Sequence, residues 1–331
     1  MQQPQPEISV VIPLLNEAES LPELNDWLKR ILDKEFEAYE IIYIDDGSTD
    51  DSWKTIESFA GEDERIKGIK FRRNYGKAQA LQAGFDVARG KVIITMDADL
   101  QDFPDEIPGL YRMITEQDYD LVSCHKQNRQ DPVLTKNLPS KVFNWAARHV
   151  SGIQLHDFNC GLKAYKREVV KSLSLRGDMH RYIPFLAKME GFEKIGEKPV
   201  KHQARKYGQT KFGSDRFIKG VLDLITLWFI AKFGKRPMHF FGSLGLLMFL
   251  IGGVSVMIII GLKAYKLYYN MPAHLITDRP YFYIALASMI MGSQFFLAGF
   301  LGELIIKSGG SSKAYKISRV TKNLERGVTQ K

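Results

Sequence analysis

Cysteine is scarce in this chain. Two of its 331 residues, Cys124 and Cys160, carry a thiol, so no disulfide framework is implied and a reducing compartment fits. His-x-x-x-His pairs are absent too, which removes a common signal for a histidine-bound metal. His125, His156, His180 and His202 therefore read as packing or surface residues. There is no internal repeat and no low-complexity tract. No nucleic-acid-binding motif accompanies the formal charge of +8, so that charge is expected to face anionic membrane and phosphate groups, with no nucleic acid partner. Met1 to Glu7 is polar and runs straight into a strand, without the apolar core of a signal peptide.

Long apolar runs are present, and they lie late. Phe240 to Leu262 and Tyr281 to Ile306 contain no strongly polar residue except Gln294 and Glu303. Each exceeds the ~20 residues that a helix needs to cross a bilayer core of about 30 Å. Lys232, Lys235 and Arg236 precede the first run. Lys307, Lys313, Lys316, Arg319, Lys322 and Arg326 follow the second, and the loop between carries Lys263, Lys266 and Arg279. The positive-inside rule then puts the N-terminus, the N-terminal domain and the C-terminus in the cytoplasm of a multi-pass inner (plasma) membrane protein. Tyr265, Tyr268, Tyr269, Tyr281 and Tyr283 suit the membrane interfaces. Phe217, Val221, Leu222, Leu224, Ile225, Trp228 and Phe229 form one apolar face. They predict an amphipathic helix lying on the membrane before the first span. The expected division is a cytoplasmic domain at 1–212, the surface helix at 213–236, two spans within 237–306 (about 240–262 and 281–306) and a basic tail at 307–331. Gly242, Gly245, Gly252 and Gly253 on the first span suit close helix packing between subunits, and a homo-oligomer is expected.

The first two thirds alternate strand and helix. Ile8–Pro13, Tyr39–Ile44, Ile66–Phe71 and Lys91–Met96 read as strands, with helices at about 16–32, 52–60 and 77–89 between and after them. Leu121–Ser123, Leu162–Tyr165, Phe192–Glu197 and Lys198–Gln203 read as further short strands, and Arg167–Leu173 as a helix. This is an α/β pattern, with a mostly parallel sheet and its acidic loops on one edge. At the end of the fourth strand, Asp97-Ala98-Asp99-Leu100-Gln101 offers two carboxylates and an amide. Such a set suits a hard divalent cation, Mg2+ or Mn2+, that keeps open positions for substrate phosphates.

Asn16-Glu17, Asp45-Asp46-Gly47-Ser48 and Asp97-Ala98-Asp99 stand in order on successive strand ends. With them the chain resembles the family 2 glycosyltransferases and their Rossmann-like GT-A fold. Arg73-Asn74-Tyr75-Gly76-Lys77, Asp99-Leu100-Gln101-Asp102, Asp157-Phe158-Asn159-Cys160-Gly161-Leu162-Lys163 and the late hairpin narrow the resemblance. They point to the polyisoprenyl-phosphate glycosyltransferases, a group that includes dolichol-phosphate mannose synthases and undecaprenyl-phosphate glucosyltransferases. The Gln-x-x-Arg-Trp motif of processive synthases is missing.

The resemblance implies transfer of a hexose, with inversion, from a nucleotide diphosphate sugar to polyprenyl phosphate on the cytoplasmic leaflet. UDP-glucose is the first expected donor and GDP-mannose the second. Asp99 and Gln101 are the implied metal ligands, with Asp97 holding the metal region or the donor phosphates. Pro13, Leu15, Glu17, Ile44 and Asp46 would line the base and ribose, although Leu15 replaces the aromatic often found there. Lys77 and Ala98 complete the donor set, and Arg205 and Lys211 flank a loop that would close over the diphosphate. Lys126, Arg129, Lys136 and Ser140 are the implied acceptor-phosphate site, with Lys126 and Lys136 where the family has arginine. A lysine binds phosphate as a point charge and lacks the arginine fork. Asp157 could hold donor hydroxyls, orient the acceptor or cap a turn. Two rival readings are a transferase acting on a hydroxyl acceptor such as a glycolipid, and a non-catalytic nucleotide-sugar-binding membrane scaffold.

Overall fold

Seven consecutive residues of the first strand, β1 (Ile8–Leu14), are buried, as are all seven of β2 (Tyr39–Asp45). Continuous burial of this kind needs cover on both faces of the sheet, as parallel strands crossed by helices provide. The computed structural model describes residues 5–126, 148, 152–175, 177, 179–201, 229, 232–233, 236–272, 274–308 and 317–324. The chain forms two compact units. One holds everything to Leu224 together with Lys313–Lys331, and the other holds Ile225–Ser312.

In the larger unit, eight strands form one sheet. They are β1, β2, β3 (Ile66–Phe71), β4 (Val92–Thr95), β5 (Leu121–Lys126), β6 (Lys163–Lys166), β7 (Ile195–Val200) and β8 (Ile317–Val320). Their spatial order is β7-β5-β6-β4-β1-β2-β3-β8. The run β4-β1-β2-β3 is parallel, β6 is antiparallel to both neighbours, and β8 pairs antiparallel with β3. Because β6 reverses direction once on each side, β5 and β7 point the same way as β1 to β4, and the carboxyl ends of all six share one edge. A sheet of this make-up, with helices on both faces, is the GT-A arrangement.

Side chains alternate across the sheet, as pleating requires. Val10 and Ile12 join a core with α1 (Leu21–Glu35), α2 (Ser52–Glu62) and α4 (Ile107–Thr115). Val11 faces the other core, with α3 (Lys77–Val87), α5 (Arg167–Ser172) and α6 (Ile183–Met189). The first helix starts five residues later than its sequence pattern suggests. Asn16 takes a left-handed φ of 56°, and backbone N–H groups of Asn16, Glu17 and Ala18 donate to Ser48 Oγ, Ser52 Oγ and Asp50 Oδ2. These bonds sew the segment to the next turn, and Pro22 then sits in the first helical turn, where its missing N–H is harmless.

Two further departures have clear causes. The strands expected at 192–197 and 198–203 are one strand, β7, whose register with β5 is unbroken from Leu121↔Ile195 to Lys126↔Val200. Its Pro199 is tolerated because β7 is an edge. The basic tail expected beyond 307 returns to the sheet at 317–324. Thr321 Oγ1 accepts the Gly68 N–H at 2.9 Å. Asn323 Nδ2 donates to the carbonyls of Ala60, Asp63 and Ile66, and Leu324 is buried.

The smaller unit contains α7 (Pro237–Tyr268) and α8 (Pro280–Ser308), both long and apolar enough to cross a membrane. Their outward residues, such as Leu247, Met257 and Ile284, are more than half exposed. The glycines assigned above to subunit packing are in part used inside the hairpin. A Cβ on Gly245 would stand 2.5 Å from the Gly292 carbonyl, and one on Gly252 would stand 2.6 Å from that of Ala285. Ser288 Oγ donates across the pair to Met248 O at 3.0 Å. The surface helix expected at 213–236 lies largely outside the described residues.

Candidate active site

Three turns meet at the carboxyl edge of the sheet. The turn after β2 is locked by its own carboxylates. Asp45 Oδ1 accepts the Ser48 N–H at 2.7 Å, and the two oxygens of Asp46 accept the N–H groups of Tyr75 and Gly76 at 2.7 and 2.9 Å. Gly47 has φ of +81°, and a Cβ there would meet the Arg73 carbonyl carbon at 2.4 Å. The loop after β3 is thereby pressed onto this turn. Burial, and then the neighbouring Asp45, raise the Asp46 carboxyl above its ordinary range against the pull of the two N–H donors.

The turn after β4 is held differently. Lys77, the first residue of α3, places its ammonium 2.5 Å from Asp97 Oδ1, with both side chains about one third exposed (34%). Burial alone would depress that ammonium, but Asp97, with Asp102 and Asp99 nearby, holds it above the usual lysine range. Leu100 adopts a left-handed φ of 60°, and Asp99 Oδ1 accepts the Gln101 N–H at 3.2 Å. Ala98 is buried, while Asp99 and Gln101 are half-buried. All the side-chain donors of this turn are oxygens, the set a hard divalent cation takes.

Behind Asp97 runs the segment 157–163. Thr95 Oγ1 donates to the Gly161 carbonyl at 2.9 Å, and a Cβ on Gly161 would stand 2.5 Å from Asp97 Oδ2. Only glycine lets this segment approach the carboxylate so closely. Asp157 is buried, and its Oδ1 accepts the Asn159 N–H at 2.9 Å. A narrow cleft beside Lys77 is lined by Thr95, Asn159, Lys163 and His180. Lys163 is buried and donates to the Cys160 carbonyl. Burial pulls its ammonium below the ordinary lysine range. His180 is pushed down to about 3 by burial and then by Lys77, Arg181 and Lys163, so its ring is neutral at neutral pH.

Among the residues expected from sequence, Asp46, Lys77, Asp97, Ala98, Asp99 and Gln101 gather here, and Pro13, Leu15 and Glu17 lie at the end of β1. Ile44 departs from expectation. Its side chain is fully buried in the α3-side core, as an inward position on a doubly covered strand must be. Lys126 closes β5 on the same edge, whereas Arg129, Lys136, Ser140, Arg205 and Lys211 lie outside the described residues. Thr95, Gly161, Lys163 and His180 acquire their place only in the fold. Gly161 and Lys163 lie in the 157–163 motif, while His180 carries no local signal.

The family model for glycosyl transferase family 2 matches residues 9–174. The chain is 33% identical over 304 residues to dodecaprenyl-phosphate galacturonate synthase of Rhizobium johnstonii, covering 91% of this chain and 88% of the relative. It is 36% identical over 301 residues to undecaprenyl-phosphate 4-deoxy-4-formamido-L-arabinose transferase of Shewanella sediminis, covering 90% and 86%. In fold it is similar to glucosyl-3-phosphoglycerate synthase of Mycobacterium tuberculosis, solved with Mn2+, UDP-glucose and glycerol 3-phosphate. That likeness has a TM-score of 0.53 at 20% identity and covers 68% of this chain and 80% of the other. With its acidic strand ends, its GT-A sheet and these matches, the chain belongs to glycosyl transferase family 2 and is an enzyme of the polyisoprenyl-phosphate glycosyltransferase type.

Proposed function

We propose that the protein transfers a sugar from a nucleotide diphosphate sugar to polyprenyl phosphate at the cytoplasmic face of the membrane, with inversion. The observation that carries this reading is the extent of the similarity. It covers 90% or more of the chain, hairpin included, in relatives named for prenyl-phosphate acceptors. Both ends of the hairpin rejoin a single sheet through β7 and β8, which supports placing both on one side of the bilayer.

Asp99 and Gln101 would hold Mg2+ or Mn2+, which neutralises charge on the departing diphosphate. Lys77 is poised to exchange its Asp97 partner for a donor phosphate oxygen, and Asp97 keeps the ammonium in place until then. Pro13, Leu15, Glu17 and Asp46 border the nucleotide, the last through the backbone it fixes. Arg205 and Lys211 add positive charge over the diphosphate. Lys126, Arg129, Lys136 and Ser140 receive the acceptor phosphate. That phosphate oxygen is already anionic near neutral pH, so the attack needs no strong base, and Asp157 serves to orient.

The experiment is transfer of radiolabelled sugar to undecaprenyl phosphate by the full-length protein in detergent, with and without Mg2+ or Mn2+. UDP-glucose and GDP-mannose, the donors expected from sequence, are tested beside UDP-galacturonate, since the relatives' names include a uronate. A labelled lipid is expected, lost on chelation and reduced about 10³-fold in Asp99→Ala. Label appearing only on a hydroxyl acceptor, or metal-dependent nucleotide binding without transfer from any of these donors, would overturn the proposal.

A further inference from the structure

Away from the acidic turns, another cluster stands on the same sheet edge. Glu197 of β7 pairs with Ser123 of β5, and His125 follows two residues later on the same face of the pleat. The turn that carries Asp157 covers this face. Glu197 Oε1 accepts the N–H groups of His156 and Asp157 at 2.7 and 3.2 Å. The other oxygen, Oε2, is left facing two imidazoles, with His156 Nδ1 at 2.6 Å and His125 Nδ1 at 3.4 Å. The rings lie 5.1 Å apart at 36°. His125 Nδ1 is buried and has no hydrogen-bond partner among the described residues.

Two ring nitrogens converging on one carboxylate oxygen form an arrangement that a cation would complete. The three ligand atoms lie within 4.8 Å of one another. In a tetrahedral site with bonds of about 2.0–2.1 Å, neighbouring ligands are about 3.3 Å apart, so small side-chain shifts would suffice. The His156 side chain is 78% exposed. Two imidazoles and one carboxylate select borderline ions such as Zn2+, Co2+ or Ni2+ over Mg2+, which the all-oxygen turn at Asp99 suits better.

We propose that His125, His156 and Glu197 form a second cation site, taking a divalent ion of the zinc type and fastening the turn that carries Asp157 to the β5–β7 edge. The histidines are 31 residues apart in sequence and Glu197 is a further 41 away, which hides the site from any spacing rule.

The test is Co2+ titration of the full-length protein in detergent, with excess Mg2+ to fill the oxygen site, followed by visible absorption. One equivalent of Co2+ is expected to give ligand-field bands that Zn2+ abolishes. His125→Ala and His156→Ala should each weaken binding more than about tenfold, while Asp99→Ala leaves it unchanged. Zn2+ should also raise the melting temperature of the wild type but not of His156→Ala. Because His156 is exposed, its variant is expected to fold, and its metal-free melting curve checks this. Bands that persist in both histidine variants, bands lost in Asp99→Ala, or no bands at all would overturn the site.

Discussion

The turns after β2 and β4 leave the same sheet edge with two aspartates each, yet they are built for opposite ends. In the first, Asp45 and Asp46 are nearly or wholly buried; Asp45 Oδ1 and both Asp46 oxygens accept backbone N–H groups, and Asp45 Oδ2 faces the Lys70 ammonium at 3.7 Å. In the second, Asp97 is a third exposed and faces a lysine side chain. A backbone donor cannot leave without unfolding its loop, whereas a lysine can swing to a phosphate. Carboxylates alone therefore do not mark chemistry. What matters is whether their partners can be exchanged.

The sharpest way to break this contrast is to add one methyl group against each turn, at Gly47 within the first and at Gly161 behind the second. Gly47→Ala drives a Cβ into backbone atoms of Arg73 and Asn74 at a left-handed φ, and neither loop can yield. It should cost about 3 kcal/mol of stability, read as a fall in the urea midpoint. Gly161→Ala meets first the Asp97 carboxylate, a side-chain end that can rotate away from Lys77. Transfer should fall on the order of 100-fold, as misplacement of a site group does, while the melting temperature stays near that of the wild type. Equal loss of stability in the two variants would erase the distinction.

The smallest effect is on pH dependence. The native Asp46 carboxyl is raised above the unfolded value of 3.8, so the folded state keeps its proton to higher pH than the unfolded chain. Stability from this group is thus lost as pH climbs from 3.8 through the folded value. Asp46→Asn should lower stability overall, because an amide nitrogen replaces one acceptor, but flatten that decline. Urea midpoints measured from below pH 4 to neutral would show it, and parallel curves for the two proteins would contradict it.

Strands with a short apolar run and clear turn residues were legible from sequence. Ile66–Phe71 matches its expected bounds and Ile8–Pro13 falls one residue short. The strand end at Asp97 was legible too, since a short apolar run opened by Gly90 gives way there to polar residues. Less visible were features fixed by distant partners. β8 is exposed at Ile317, Ser318 and Arg319 and gains order from the β3 edge. Asn16 resembles a helix start until Ser48 and Thr49 claim it. The grip of Asp46 on the Tyr75 and Gly76 N–H groups is likewise fixed across loops distant in sequence. Pattern reports burial and period, but not which loop a side chain meets across the edge.

The late return of β8 has a consequence for the order in which the sheet is completed. The ribosome makes the strands from β1 to β7, then both apolar helices, and only afterwards the strand that covers the β3 edge. Until then Ile69 and Phe71 lack their outer pairing partner, and an uncovered edge is a template for aggregation. A chain cut short within or just after the apolar hairpin would keep that open border, so the last strand made is also the one that closes the sheet.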